Sequence, residues 1–290
     1  AARLEWVSIS PRQALRVVYG KAKAKVFPHY RVIKRHARSM MPTMQRRWGK
    51  KILVFGLGDI YSIGGVQLSY QRLFSHLLEC GHSVSFYTHH EKPANPGQYY
   101  PLSAKVSVCH HVLSDSAEGL REIRAIAAAE DPDVVLVVYS GQWALTIGAA
   151  LYDTRYPVVF SERGGADHCL EHNWHNQTQR ELAHFASDHA HVLMPEYRKA
   201  APKKLSHWID VIPSVTEKAA VTARPGHPRS DGRFSVLYTG RLSFEKDLNI
   251  LISAFSKLAE EFENWDLEIM GDGPERNSLA AQANRLGLSS

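Results

Sequence analysis

The sequence predicts an α/β protein made of two doubly wound parallel-sheet domains, and three observations carry that prediction. Short apolar runs, among them Ile52-Leu53-Val54-Phe55 and Val134 to Tyr139, alternate with segments whose apolar residues recur at helical spacing. Runs of this kind read as strands buried on both faces, and their alternation with helices means a covered parallel sheet. The alternation stops over residues 217–233, where Pro225, Gly226, Pro228 and Gly232 lie among scattered charges with no apolar period. From Val236 the strand–helix–strand order begins again.

Each element has its own signal. The first strand, 52–55, ends in Gly56 and is followed by a loop reaching Gly64-Gly65. Val66, Tyr70, Leu73, Phe74 and Leu77 then mark a helix that Gly81 closes. Val84 to Thr88 and Val106 to Cys109 are the next strands, Ala117 to Glu130 a helix, and Val134 to Tyr139 an almost wholly apolar strand. A helix over 142–152 leads to the strand Val158-Val159-Phe160, which runs into a polar stretch, Ser161-Glu162-Arg163-Gly164-Gly165. A helix over 176–187, a strand over 191–194, a helix over 197–205 and a strand over 209–213 complete the first domain. In the second, Val236-Leu237-Tyr238 is a strand and 240–247 a loop. Leu248, Leu251, Ile252, Phe255, Leu258, Ala259 and Phe262 line one face of a helix. Leu267 to Met270 is a strand, and Pro274 opens a last helix after the turn Gly271-Asp272-Gly273. Two strands do not make a doubly wound core, so the second domain is expected to be truncated.

Charge divides the 290 residues unevenly. Fourteen Lys and Arg against one acid, Glu5, fall in the first 51 residues, which leaves a net of −7 for the rest of a chain whose total is +6. The expected organisation is a basic leader over 1–50, a first domain over 51–216, a linker over 217–233 and a second domain over 234–290. The acidic body argues against a nucleic-acid partner. The leader interleaves Arg16, Lys21, Lys23 and Lys25 with Leu15, Val18, Tyr19, Ala22 and Val26. It reads either as a segment held at an anionic membrane surface or as a solvated, disordered arm. No apolar stretch is long enough to span a bilayer. Cys80, Cys109 and Cys169 show no paired spacing, which fits a reducing, cytoplasmic setting.

The candidate chemistry lies in strand-to-helix loops, where ligands of open α/β sheets bind. Gly56-Leu57-Gly58 has Tyr61 where a dinucleotide fingerprint needs its third glycine, and no phosphate-binding Gly-Lys-Ser/Thr run exists. Gly64 and Gly65 enter the first helix and would let backbone amides approach an oxyanion; a plain tight turn explains them equally well. The loop Gly240-Arg241-Leu242-Ser243-Phe244-Glu245-Lys246-Asp247 is more specific, because a guanidinium and an ammonium at a sheet's carboxyl edge can neutralise a diphosphate. The bland alternative is a solvated pair with Glu245. His168, His172 and His175 share a helical spacing near Cys169 and Glu171, but sixteen histidines are scattered along the chain and no metal is expected.

The segment Val236 to Leu288, with its Gly-Arg-Leu-Ser-x-Glu-Lys loop and its Gly-Asp-Gly-Pro-Glu turn (Gly271 to Glu275), resembles the start of the carboxyl-terminal domain of family 4 retaining glycosyltransferases. Val211-Ile212-Pro213 and Gly64-Gly65 fit the same family, and the likeness runs from about Lys51 to the end. It implies a GT-B fold, a pair of Rossmann-like domains, that binds a nucleotide-sugar donor (UDP-linked by the commonest guess) in a cleft between them and uses no other cofactor. By that resemblance Arg241 and Lys246 hold the donor diphosphate, with Gly240 in their loop. Gly64 and Gly65 approach it from the other domain, and Gly271, Asp272 and Gly273 border the nucleoside. Ser161-Glu162-Arg163 resembles a version found in members that extend lipid-linked or surface polysaccharides, which places Glu162, Arg163 and His168 near the acceptor or the transferred sugar. For Glu162 and Arg163 an internal ion pair is the competing reading. The implied acceptor is a glycan or polyprenyl-linked sugar at the inner membrane face. The family's usual Asn-Gly after the hinge proline is Ser214-Val215 here, the glycine after its loop lysine is Asp247, and its paired glutamates would lie beyond Ser290. A non-catalytic fragment and a sugar-nucleotide epimerase of the same architecture are the rival readings.

Overall fold

The computed structural model describes residues 49–288 except 57–59, 62–63, 93–99, 139–140, 165–176, 202–208, 215, 217–219, 223 and 225. His168, with the other histidines of its group and nearly all of the basic leader, therefore lies outside the described residues. The chain divides into two compact units between Thr216 and Glu217.

The first unit is one parallel sheet of seven strands: β1 (Lys51–Gly56), β2 (Ser83–Thr88), β3 (Ser107–His110), β4 (Val134–Val138), β5 (Val158–Glu162), β6 (His189–Val192) and β7 (Ile209–Val211). Their spatial order is β3-β2-β1-β4-β5-β6-β7, with every neighbouring pair parallel. The helices are α1 (Gly65–Glu79), α2 (Ala117–Glu130), α3 (Gln142–Leu151), α4 (Gln177–Ala186) and α5 (Pro195–Lys199). Strand order reverses between β1 and β4, so the crevice outside their carboxyl ends is the topological switch point where this architecture takes ligands.

The period of two along β1 shows why helices cover both faces. Ile52 and Val54 pack with Val84, Phe86 and the α1 residues Tyr70 and Phe74. Leu53 and Phe55 face the larger cluster of Val135, Val137, Ile123, Ile147, Leu151 and Leu182. Helix α3 is buried from Ala144 to Leu151, and Gly148 lets α4 close on it: a Cβ there would stand 2.9 Å from that of Ala186.

The second unit holds β8 (Phe234–Thr239) and β9 (Trp265–Met270), paired in parallel, with a 3-10 turn Phe244–Lys246 and helices α6 (Leu248–Ser256) and α7 (Arg276–Arg285). Leu248 and Ile252 of α6 and Leu279 of α7 meet Leu242, Tyr238, Leu267 and Ile269 on one face of the strand pair. On the other face Arg229 pairs with Asp266 and Glu268.

Several boundaries differ from the sequence reading. Strand β5 runs two residues further, taking in Ser161 and Glu162, and β6 starts at His189 rather than 191. Helix α6 ends at Ser256, although the apolar period continues to Phe262. The first of these differences changes the site.

Candidate functional site

At the switch point the first unit presents the start of α1. Gly64 has extended backbone, no side chain caps the helix, and no acid stands in its first turn. The leading amides and the positive end of the helix dipole therefore remain available to an anion. A Cβ on Gly65 would meet nothing within 4 Å, so this glycine leaves the approach open. Gly56, at the end of β1, is needed for packing: a Cβ there would fall 2.1 Å from the Phe86 ring and 2.8 Å from the Tyr70 hydroxyl.

Glu162 requires a correction. As a residue of β5 it shares a face with Phe160 and points into the sheet–helix interface, and its side chain has no exposure. Both carboxylate oxygens accept from Arg180 of α4, at 2.8 Å each, and Arg180 also donates to the Ala200 carbonyl. His184 stands 3.4 Å away. Burial alone would raise the Glu162 carboxyl, but nearby His184 and the hydrogen-bonded Arg180 guanidinium outweigh it and bring the group down to about 2. A carboxylate so enclosed cannot touch a substrate; it ties β5 to α4 and α5. The internal ion pair is real, but its partner is Arg180 rather than Arg163. Arg180 and His184 carried a sequence signal, an Arg and a His four residues apart on the buried stripe of an amphipathic helix.

Arg163 turns the other way. Its Nε donates to the Ser161 hydroxyl at 3.1 Å, and Ser161 Oγ lies 2.9 Å from His191 Nδ1. His191 Nε2 is 2.7 Å from the Ile212 carbonyl, which can only accept, so the Ser161 hydroxyl donates to Nδ1. Burial pushes the Arg163 guanidinium below its ordinary value, with Tyr70 acting in the opposite direction. Burial and the Arg163 charge likewise hold His191 low, against the Ile212 carbonyl. Ser161 was visible in the sequence only as part of the Ser161-Glu162-Arg163 stretch, and His191 did not stand out, because a single polar residue near a strand end carries no spacing signal.

The same carboxyl edge carries two pairs of adjacent histidines, His89-His90 and His110-His111. Register places His110 beside Thr88, and His110 Nδ1 lies 3.0 Å from the His90 carbonyl while Tyr61 is 3.1 Å from Nε2. Among the described residues no group of side chains is placed to hold a metal ion.

In the second unit the loops after β8 and β9 are zipped together. Gly240 donates to the Met270 carbonyl at 3.0 Å, Leu242 to Asp272 at 2.9 Å, and Glu275 to Leu242 at 3.0 Å. Cβ atoms on Gly271 and Gly273 would fall 1.9 Å and 2.3 Å from the Gly240 and Leu242 carbonyl oxygens, so close backbone approach is what these glycines supply. Asp272 accepts from the Gly273 amide at 2.9 Å. The zipped loops hold Arg241 and Lys246 exposed at the carboxyl edge. Glu245, their sequence neighbour, accepts from the Ser243 hydroxyl at 2.6 Å. Its carboxyl sits below the ordinary value chiefly through that bond, with Lys246 and Arg241 adding to it. Lys246 makes no ion pair with a described residue.

Residues 222–290, the segment holding this loop, match the family model of glycosyl transferases group 1. No curated protein matches the sequence. Among solved structures, the lipopolysaccharide outer core galactosyltransferase WaaB superposes with a TM-score of 0.59 and 16% identity, over 82% of this chain and 65% of that one. HepE of Anabaena, in complex with UDP-glucose, gives 0.55 and 16%, over 83% and 67%. A Listeria monocytogenes structure described as a UDP-N-acetylglucosamine 2-epimerase gives 0.54 and 12%, over 83% and 67%. The fold is GT-B. The chain spans about two thirds of the length of these GT-B structures. No described helix is long and apolar enough to cross a membrane.

Proposed function

We propose that the chain belongs to a retaining glycosyltransferase of family 4, which moves a hexose or N-acetylhexosamine from a nucleotide diphosphate sugar, UDP-linked, to a glycan or lipid-linked acceptor. The observation that carries this reading is the zipped loop pair presenting Arg241 and Lys246 at the carboxyl edge of β8, inside the segment that matches the glycosyl transferase model. On this reading both cations hold the donor diphosphate and stabilise the charge that grows on it. The bond from the anomeric carbon to the diphosphate oxygen breaks and its electron pair leaves with the nucleotide. The acceptor oxygen bonds to the same carbon, and its proton passes to the departing diphosphate. Gly64 and Gly65 would contribute helix amides toward an anion from the first unit.

The direct test incubates the chain with UDP-sugars and candidate glycan acceptors and follows UDP release. Release that depends on the acceptor, with the anomeric configuration kept in the product, supports the reading. The epimerase likeness supplies a second reading with a different outcome, conversion of UDP-N-acetylglucosamine to its epimer with no acceptor present. The basic leader, on the first reading, holds a cytoplasmic enzyme against an anionic membrane face. Sedimentation with vesicles should then require anionic headgroups and fade in high salt, and equal sedimentation with neutral vesicles would contradict it.

A further inference from the structure

We propose that Arg163 binds an oxyanion carried by the acceptor, rather than the donor diphosphate, at the carboxyl end of β5. The inference rests on the glycosyltransfer reading for its substrate and on the geometry of the first unit for its site.

Three features of Arg163 point to an anion. Among the described residues its guanidinium is anchored along one edge only, through Nε to Ser161 and on through His191 to the Ile212 carbonyl, a chain that draws on β5, β6 and the residue after β7. The two outer nitrogens make no hydrogen bond to a described residue, and no carboxylate among the described residues pairs with the group. Glu162, its sequence neighbour, faces the other side of the sheet with both oxygens on Arg180. A half-buried cation that is oriented but has no carboxylate partner among the described residues loses hydration, which an incoming oxyanion restores through a bidentate contact.

Charge distinguishes acceptor from donor. A nucleotide diphosphate sugar has one negative charge on each phosphoryl group, and Arg241 with Lys246 already matches them in the second unit. Arg163 is a further cation, on the unit that the resemblance gives to the acceptor, with a neutral His191 and an uncapped helix start on the same sheet edge. An acceptor bearing a phosphate or a carboxylate satisfies it; a neutral glycan does not.

The test uses the whole chain and calorimetric titration with inorganic phosphate and, separately, glucuronate, to distinguish a phosphate from a sugar carboxylate. In the Arg241→Ala/Lys246→Ala background one of these probes should still bind. Adding Arg163→Gln should weaken it by about tenfold or more, the loss expected of a charge-assisted hydrogen bond, and Arg163→Lys should restore part of it. Equal affinity with and without Arg163→Gln, or loss of all binding in the Arg241→Ala/Lys246→Ala background, would overturn the assignment. If Arg163→Gln unfolds the chain, Ser161→Ala, which frees the anchored edge, should still weaken the probe; no change there would also overturn it. UDP separates this inference from the reading it rests on. UDP affinity that falls with Arg163→Gln assigns the anion to the donor and ends the inference. UDP affinity that survives Arg241→Ala/Lys246→Ala ends the donor reading and leaves the phosphate result standing.

Discussion

Asp247 adopts left-handed backbone, φ 50° and ψ 36°, where the resemblance expects glycine. Left-handed backbone costs an ordinary residue about 1–2 kcal/mol, and aspartate is among those that tolerate it best. Its carboxylate makes no side-chain cap to α6, so nothing in that helix compensates. Asp247→Gly should therefore stabilise the second unit by about 0.5–1 kcal/mol in denaturant unfolding, after the entropy of the new glycine is counted. A loss of stability would show that the carboxylate has a role the hydrogen bonds do not reveal. Gly271→Ala should act oppositely. Its methyl would meet the Gly240 oxygen at 1.9 Å, and separating the zipped loops should cost about 2–3 kcal/mol and loosen Arg241 with them. The glycines were legible as a motif, but their physical reason was not, because close approach between loops thirty residues apart has no local pattern.

At the scale of the element, β5 shows what sequence reading lost. Ser161-Glu162 reads as a polar loop because strands are recognised by apolar runs; a buried ion pair inside a strand breaks that rule. Its partner lies eighteen residues on, at Arg180, in a helix whose sequence shows only amphipathicity. Removing one member of a buried pair leaves the other charged and dry, so Glu162→Gln should destabilise the first unit by about 3–5 kcal/mol. The pH dependence has a definite sign. The folded carboxyl lies near 2, against an ordinary 4.5, so its contribution is present above pH 4.5 and is lost as pH falls toward 2. Thermal unfolding should show stability dropping between about pH 5 and 2 in the natural chain, and less steeply in Glu162→Gln. Parallel pH profiles for the two would contradict the pair's assigned role. By contrast, the apolar strands β1 and β4 were legible to within a residue or two, since burial on both faces leaves little choice of residue.

The whole molecule joins two units that are unlike in what holds them together. The first has a seven-stranded sheet with apolar clusters on both faces. In the second, the described strands contain no fully buried residue, and the buried cluster is Leu242, Leu248, Ile252 and Leu279. Hydrogen exchange should consequently protect the amides of β1 and β4 far longer than those of β8 and β9. Equal protection would mean that the second unit draws stability from elsewhere. The break over 217–233 was visible in composition, and the restart of strand and helix after it placed Arg241 and Lys246 at a carboxyl edge before any coordinates did. Of the site, the cationic loop was read from the sequence; the Arg163–Ser161–His191 chain was not, since β5 and β6 had to be set side by side to form it. The claim on which the functional account depends is that Arg241 and Lys246 grip a diphosphate. Calorimetric titration of the chain with UDP tests it most directly: each alanine substitution should weaken binding about 10- to 100-fold, the equivalent of about 1.5–3 kcal/mol for a charge-assisted bond, while unchanged affinity in both variants would contradict the account.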